Sequence, residues 1–115
     1  MTTFDIELAL TTLSEDDLKA ILIDLPKEFE MSKELRSGWG YTIRRNDTAS
    51  SIILNDAINI FLKDLSVLEK IIRRSSSKLR VGIYNDKATC TLNLSGFSLL
   101  DSLKVELIAT IYPVE

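Results

Sequence analysis

The sequence predicts an α+β domain in which an antiparallel or mixed five-stranded sheet carries helices mainly on one face, as in a ferredoxin-like sandwich. Three observations favour this fold. Residues 54–72 place apolar side chains at the spacing of one helix face, and several other stretches alternate apolar and polar side chains as strands do. The chain has 115 residues, which suits one domain spanning residues 1–115.

The first strand and helix follow directly from the opening residues. Residues 4–11 alternate apolar with polar side chains, the period of a strand with one buried face. Ser14 then precedes three acidic residues, which predicts a helix N-cap followed by negative charge at the positive end of the helix dipole. The helix is expected to end at Pro26.

Residues 27–37 are polar with little pattern, so the sequence assigns them to no element; Phe29, Met31 and Leu35 are candidate anchors of a loop. Residues 38–45 form the second predicted strand, with Trp39, Tyr41 and Ile43 on one face. Gly38 and Gly40 interrupt the other face, and glycines within a strand indicate a bulge or the close approach of another backbone.

Residues 54–72 form the central amphipathic segment around which the other elements are expected to pack. Its apolar stripe is Leu54, Ile58, Phe61, Leu65, Leu68 and Ile72. Ser66 and Glu69 have the spacing of a capping box, so the segment is either one helix or two helices meeting near Asp64.

The remaining elements are two further strands, a short helix and a closing strand. Arg73 and Arg74 suit the C-terminus of the central helix, and three serines after them predict a flexible link. Residues 79–84 and 88–94 alternate around a turn and predict a hairpin. A helix is expected over 98–103. Residues 105–112 are apolar on much of both faces, which predicts an interior strand.

The composition argues against most catalytic chemistry. The chain has no histidine and one cysteine, Cys90, so zinc sites, catalytic triads and iron–sulfur motifs lack their usual ligands. We therefore predict no enzyme activity, no cofactor and no metal site. The chain also lacks an 18-residue apolar span and the basic-then-apolar order of a signal peptide, which predicts a cytoplasmic protein without membrane partners.

Charge is distributed unevenly along the chain. Residues 1–30 carry eight acidic residues against two lysines, whereas residues 63–80 carry six basic residues against two acidic ones. The candidate partner-binding residues are the acids Glu15, Asp16, Asp17, Asp24, Glu28 and Glu30. Such a cluster suits electrostatic steering of a basic partner, although helix-start chemistry and a solvated surface also explain acidic residues here.

Nucleic acid is a weaker alternative partner. The residues that would form the basic patch are Arg44, Arg45, Arg73, Arg74, Lys78 and Arg80, with Trp39, Tyr41 and Tyr84 available for stacking. The net charge of −3 and the shared face of Trp39, Tyr41 and Ile43 argue against this interpretation.

The order of these features resembles a small bacterial family, the domain of unknown function 4279. The resemblance is carried by residues 38–41 around Trp39, the segment 54–72, residues 79–84 and 92–95, the short leucine-rich helix and the closing residues 111–112. It implies a fold and no catalytic motif. The chain is also similar in type to immunity proteins of contact-dependent or polymorphic toxin systems. That similarity implies a cognate toxin domain as partner, with a nuclease as one form of it; a homodimer formed through a sheet edge stays open.

Overall fold

The computed structural model describes residues 2–34, 40–45, 54–85 and 98–113. Within them the fold is α+β with a five-stranded mixed sheet, as predicted. The strands are β1 (Thr2–Leu10), β2 (Phe29–Glu34), β3 (Gly40–Arg45), β4 (Lys78–Asn85) and β5 (Glu106–Pro113). The helices are α1 (Glu15–Asp24), α2 (Leu54–Asp64), a 3₁₀ helix (Ser66–Leu68), α3 (Glu69–Arg74) and α4 (Ser98–Ser102).

The strand order in the sheet is β2-β3-β1-β4-β5. The first four strands pair antiparallel, whereas β4 and β5 run parallel. The first strand of the chain therefore lies at the centre, where it pairs with β3 on one side and with β4 on the other. Because side chains alternate along each strand, the pairing register decides which residues share a face of the sheet.

One face of the sheet carries the hydrophobic core. Leu8, Ile43 and Leu79 lie in register across β3, β1 and β4, and all three are fully buried. The helices cover this face with Ile21 from α1 and with the apolar stripe of the central segment. Phe61 of α2 packs edge-to-face on Phe29 of β2, with 5.3 Å between ring centroids, which fixes the outer strand against the helix layer.

The central segment is broken after Asp64, as one of the two interpretations predicts. The capping mechanism differs from the predicted one. Leu65 and Leu68 occupy the N-cap positions of the 3₁₀ helix and of α3, and neither makes a side-chain capping bond. Both leucines are buried, so the apolar contacts of the stripe continue through the break.

Three predictions about the strands need correction. Residues 29–34, for which the sequence predicts no strand, form β2, with Phe29 buried and Met31 half-buried against the core. The hairpin predicted after residue 84 is wrong in its pairing, because both edges of β4 are occupied by β1 and β5; residues 88–94 lie outside the described residues. Among the described strands β5 is an edge strand and not an interior one.

Two local predictions about backbone have different outcomes. Gly40 has a φ of +77°, and a Cβ there would lie 2.5 Å from the backbone oxygen of Leu10, so the predicted close approach is the contact with β1. Gly38 lies outside the described residues. The serine link is an ordered turn instead of a flexible one, because Ser75 and Ser77 are buried and both donate to the carbonyl oxygen of Ile72.

Candidate functional site

Helix α1 exposes two large aliphatic side chains. Leu22 is 64% exposed and Ile23 is 81% exposed, whereas Ile21 between α1 and the sheet is fully buried. The helix begins as predicted, because the Ser14 hydroxyl accepts a hydrogen bond from the backbone N–H of Asp17 over 3.1 Å. Two neighbouring aliphatic residues with this exposure form an apolar patch on the outer side of a core helix.

Acidic residues lie at both ends of this patch. Glu15 and Asp16 are exposed in the first turn of α1, and Asp24 is exposed in its last turn. Lys19 lies 3.7 Å from Glu15, but both side chains are largely exposed, so water screens that pair. Asp24 lies at the negative end of the helix dipole, where an acidic side chain does not stabilise the helix. We call Glu15, Asp16, Leu22, Ile23 and Asp24 the α1 surface.

Asp17 differs from the other five predicted acids because its carboxylate is already bound. Its two oxygens accept hydrogen bonds from Arg74 Nε and Nη2 over 3.1 and 2.5 Å, which ties α1 to α3. The side chain is only 13% exposed. The hydrogen bond from Arg74 holds the pKa of Asp17 below its ordinary value, since it stabilises the charged form. Asp17 thus holds two helices together and offers no carboxylate to a partner.

Glu28 and Glu30 are exposed but lie away from the first turn of α1. Glu28 belongs to the turn between α1 and β2. Glu30 is in register with Arg44 on the sheet face opposite the helices. The structure therefore divides the six predicted residues into three groups: the exposed acids of α1, the ion-paired Asp17, and the two acids near or in β2.

Part of the charge asymmetry of the sequence is neutralised by ion pairs within the fold. Asp17 and Glu7, from the acidic first 30 residues, bind Arg74 and Arg80 from the basic segment. Arg45 binds Asp64 over 2.7 Å and stacks over Phe29, and Arg73 lies 3.8 Å from Glu69. These arginines lie in different layers, so the described residues do not unite them into one basic patch. Tyr41 lies on the core face with Leu10, and Trp39 lies outside the described residues.

A second feature, absent from the sequence prediction, is a concavity of about 300 Å³ on the face opposite the helices. Glu7 of β1 accepts hydrogen bonds from Arg44 of β3 and from Arg80 of β4, at 2.6 and 2.7 Å. Beyond them Tyr84 and Tyr112 stack with centroids 5.1 Å apart. We call this concavity the open-face groove. The sequence feature that could have indicated it is the set of polar side chains that alternate with the buried ones along each strand.

Tyr84 donates a hydrogen bond to Asp5 Oδ2 over 3.0 Å at the far end of the groove. This bond raises the pKa of Tyr84 above its ordinary value of 10.0, because the neutral phenol is the donor and a nearby carboxylate opposes phenolate. Glycine at position 82 leaves the space that these side chains use. A Cβ there would lie 2.6 Å from Asp5 Oδ1 and 3.4 Å from Tyr112 Cε2.

The described residues contain neither a metal-ligand cluster nor a membrane-spanning helix. Within residues 2–34, 40–45, 54–85 and 98–113, the acidic side chains nowhere form a group of three that could hold a metal ion. Cys90 is outside these ranges. The described helices include none with the length and hydropathy needed to cross a bilayer.

No family model, curated protein or solved structure matches this chain. The resemblance drawn from the sequence pattern therefore stays a prediction.

Proposed function

We propose that the protein is a non-catalytic binding protein, an immunity protein that occludes a cognate bacterial toxin domain in the cytoplasm, and that the α1 surface is its contact surface. The observation that supports the proposal is the exposure of Leu22 and Ile23 between acids at both ends of the same helix. Tight protein interfaces combine a few buried apolar anchors with a polar rim. Leu22 and Ile23 supply anchors, and Glu15, Asp16 and Asp24 supply the rim.

The rim defines the chemistry of the partner. Carboxylates at both ends of a short helix attract a surface rich in lysine or arginine and steer its approach. Nuclease toxin domains carry such surfaces because they bind phosphate backbones. An inhibitor that covers that surface needs no chemistry of its own. This agrees with a chain that lacks histidine.

The rigid attachment of α1 also favours this role. Ile21 anchors the helix in the core, and the Asp17–Arg74 pair fixes its first turn to α3. A contact surface that is already ordered loses little conformational entropy when it binds. Glu28 and Glu30 lie farther along the chain and are not part of the proposed centre.

The first experiment identifies the partner and then measures it. Tagged protein is purified from its native host, the captured protein is identified by mass spectrometry, and its affinity is measured with purified components. Replacing Leu22 and Ile23 together by Gln should weaken binding by at least about 2 kcal/mol, roughly thirty-fold. The matched control is Ile60→Gln on α2, since Ile60 is also an exposed aliphatic residue, and it should leave the affinity unchanged.

Electrostatic steering has its own variant. Glu15→Lys with Asp16→Lys reverses the rim while leaving Asp17 bound to Arg74. The association rate should fall and its salt dependence should weaken or reverse, with little change in the dissociation rate. Unchanged association would remove these acids from the interface. A captured protein that binds both the Gln variant and the Lys variant like the unaltered chain would contradict the proposal as a whole.

Nucleic acid receives little support as the alternative partner. Two carboxylates, Asp5 and Glu7, balance the two arginines that line the open-face groove, so the groove has no excess of positive charge. Carboxylates at this density oppose a phosphate backbone.

A further inference from the structure

The open-face groove has the properties of a small-ligand site that is separate from the α1 surface. Glu7 and Leu8 are consecutive residues of β1, so their side chains point to opposite faces of the sheet. The helices cover the Leu8 face, and the groove lies on the Glu7 face. A ligand in the groove therefore does not compete with a partner on α1, and the inference goes beyond the proposed function.

The positive end of the groove is Arg44. Its guanidinium has five N–H donors, of which Nε and one on Nη2 are directed at Glu7 Oε2, at 2.7 and 2.6 Å. The side chain is 57% exposed, so the remaining donors can reach an anion. Arg80 holds the other oxygen of Glu7 over 2.7 Å and keeps that carboxylate in place. Glu7 thus positions Arg44 instead of blocking it.

The negative end of the groove is Asp5. Oδ2 of Asp5 accepts the Tyr84 hydroxyl, whereas Oδ1 lies beside Gly82, where the absence of a side chain leaves it room. The stacked rings of Tyr84 and Tyr112 stand next to this carboxylate. A carboxylate beside aromatic rings is a favourable site for an ammonium or guanidinium group, because the ring faces also attract cations.

The spacing between the two ends selects the ligand. Asp5 and Glu7 lie on the same face of β1 two residues apart, so their Cα atoms are about 7 Å apart, and Arg44 is bound to Glu7. The charges of an α-amino acid backbone are closer together than this. Those of an ω-amino acid such as 6-aminohexanoate, whose amino and carboxylate groups are at opposite ends of the chain, match it.

We propose that the open-face groove binds a zwitterion whose cationic and anionic groups are separated by an extended aliphatic chain, that is, an ω-amino acid such as 6-aminohexanoate. The anionic group lies against Arg44, the cationic group lies on the exposed side of Asp5 near the tyrosine rings, and the methylene chain spans the groove between them. A purely anionic ligand meets Asp5, and a purely cationic one meets Arg44, so neither satisfies both ends. The volume of about 300 Å³ is sufficient for a molecule of this size.

The test is a titration of the unaltered chain, followed by NMR at Gly82 and at the Tyr84 and Tyr112 rings. The probe is 6-aminohexanoate, and the controls are hexanoate and hexylamine, each of which lacks one charge. Since losing a charge-assisted contact costs about a factor of ten, 6-aminohexanoate should bind at least about ten-fold more tightly than either control. Equal binding of all three, or no binding of 6-aminohexanoate, would overturn the proposal.

Two variants assign the ends of the ligand. Asp5→Asn should reduce the affinity for 6-aminohexanoate to that of hexanoate, and Arg44→Gln should reduce it to that of hexylamine. Asp101→Asn and Arg73→Gln are the matched controls, because both are exposed and lie on helices outside the groove, and they should change nothing. The ligand series on the unaltered chain decides the proposal even if a variant fails to fold. Tighter binding of adenosine monophosphate than of 6-aminohexanoate would overturn it in favour of a nucleotide site.

Discussion

Helices α1 and α2 lie in the same layer over the same sheet and distribute their side chains in opposite ways. Helix α2 buries Ile58, Phe61 and Leu62 and exposes most of its charged residues. Helix α1 buries a charge, Asp17, and exposes two aliphatic residues, Leu22 and Ile23. The first pattern is what stability alone requires. The second exposes apolar surface to water, and the proposed partner surface rests on this observation.

The largest expected effect is on the stability that α2 supplies. Phe61 is 2% exposed and packs on Phe29, so Phe61→Ala should lower the free energy of unfolding by about 3 to 5 kcal/mol. Ile60→Ala on the same helix should change it by less than about 0.5 kcal/mol. Urea denaturation measures both. Similar losses at the two positions would mean that α2 does not separate core from surface as described.

The next effect concerns the charge buried by α1. Because the folded-state pKa of Asp17 lies below its ordinary value of 3.8, the pair with Arg74 stabilises the fold above that value and the contribution is lost as pH falls through the folded-state pKa. Asp17→Asn should therefore reduce stability at neutral pH and flatten the decline in acid. Thermal melts from pH 7 to pH 2 measure this.

A variant of Arg74, the ion-pair partner of Asp17, provides a second test of this prediction. Arg74→Gln should reproduce the flattening, and the double variant should lose less than the sum of the two single losses, because both changes remove one interaction. Additive losses would show that the pair does not connect α1 to α3. Glu69→Gln affects only an exposed pair and should leave the acid profile as it is.

A smaller effect is expected when the exposed aliphatic residues of α1 are replaced. Leu22→Gln with Ile23→Gln should leave the free energy of unfolding within about 0.5 kcal/mol, since neither side chain is in the core and Gln is a good helix former. Denaturation of this variant beside Phe61→Ala sharpens the contrast between the helices. A loss comparable to that of Phe61→Ala would mean that the pair is structural.

The smallest effect is the titration of one phenol. Tyr84 should ionise above its ordinary pKa of 10.0, and Asp5→Asn should bring that pKa back toward 10.0. The bond to Asp5 then stabilises the fold below pH 10 and is lost as pH rises through the folded-state pKa. NMR of the Tyr84 ring as a function of pH reports the value. An unchanged Tyr84 pKa in Asp5→Asn would show that the hydrogen bond does not govern it.

Periodicity predicted the elements well where one face of them is buried. The Ser14 cap, the apolar stripe of the central segment and strand β1 occur where they were predicted, because helix capping and side-chain alternation depend on residues close together in sequence. Strand β2 was missed although Phe29 and Met31 alternate with polar neighbours, because an edge strand with few apolar residues gives a weak signal. The position of β5 depends on long-range pairing, which periodicity does not specify.

The sites were less predictable than the fold. The acids of α1 stand out in the sequence. The ion pair that removes Asp17 from the surface could not be predicted, because its partner Arg74 is 57 positions away in the sequence. The exposure of Leu22 and Ile23 depends on how α1 is rotated against the core. The open-face groove needs the register of β3, β1, β4 and β5 together, and no short stretch of sequence contains it.

The most direct test of the central claim is an NMR footprint of the purified cognate partner on the ¹⁵N-labelled chain. If the exposed side of α1 is the contact surface, the largest shift changes and line broadening should fall on residues 15–24, and Leu22→Gln with Ile23→Gln should abolish them. A footprint on the open face, around Glu7, Arg80 and Tyr84, with α1 unaffected, would contradict the account.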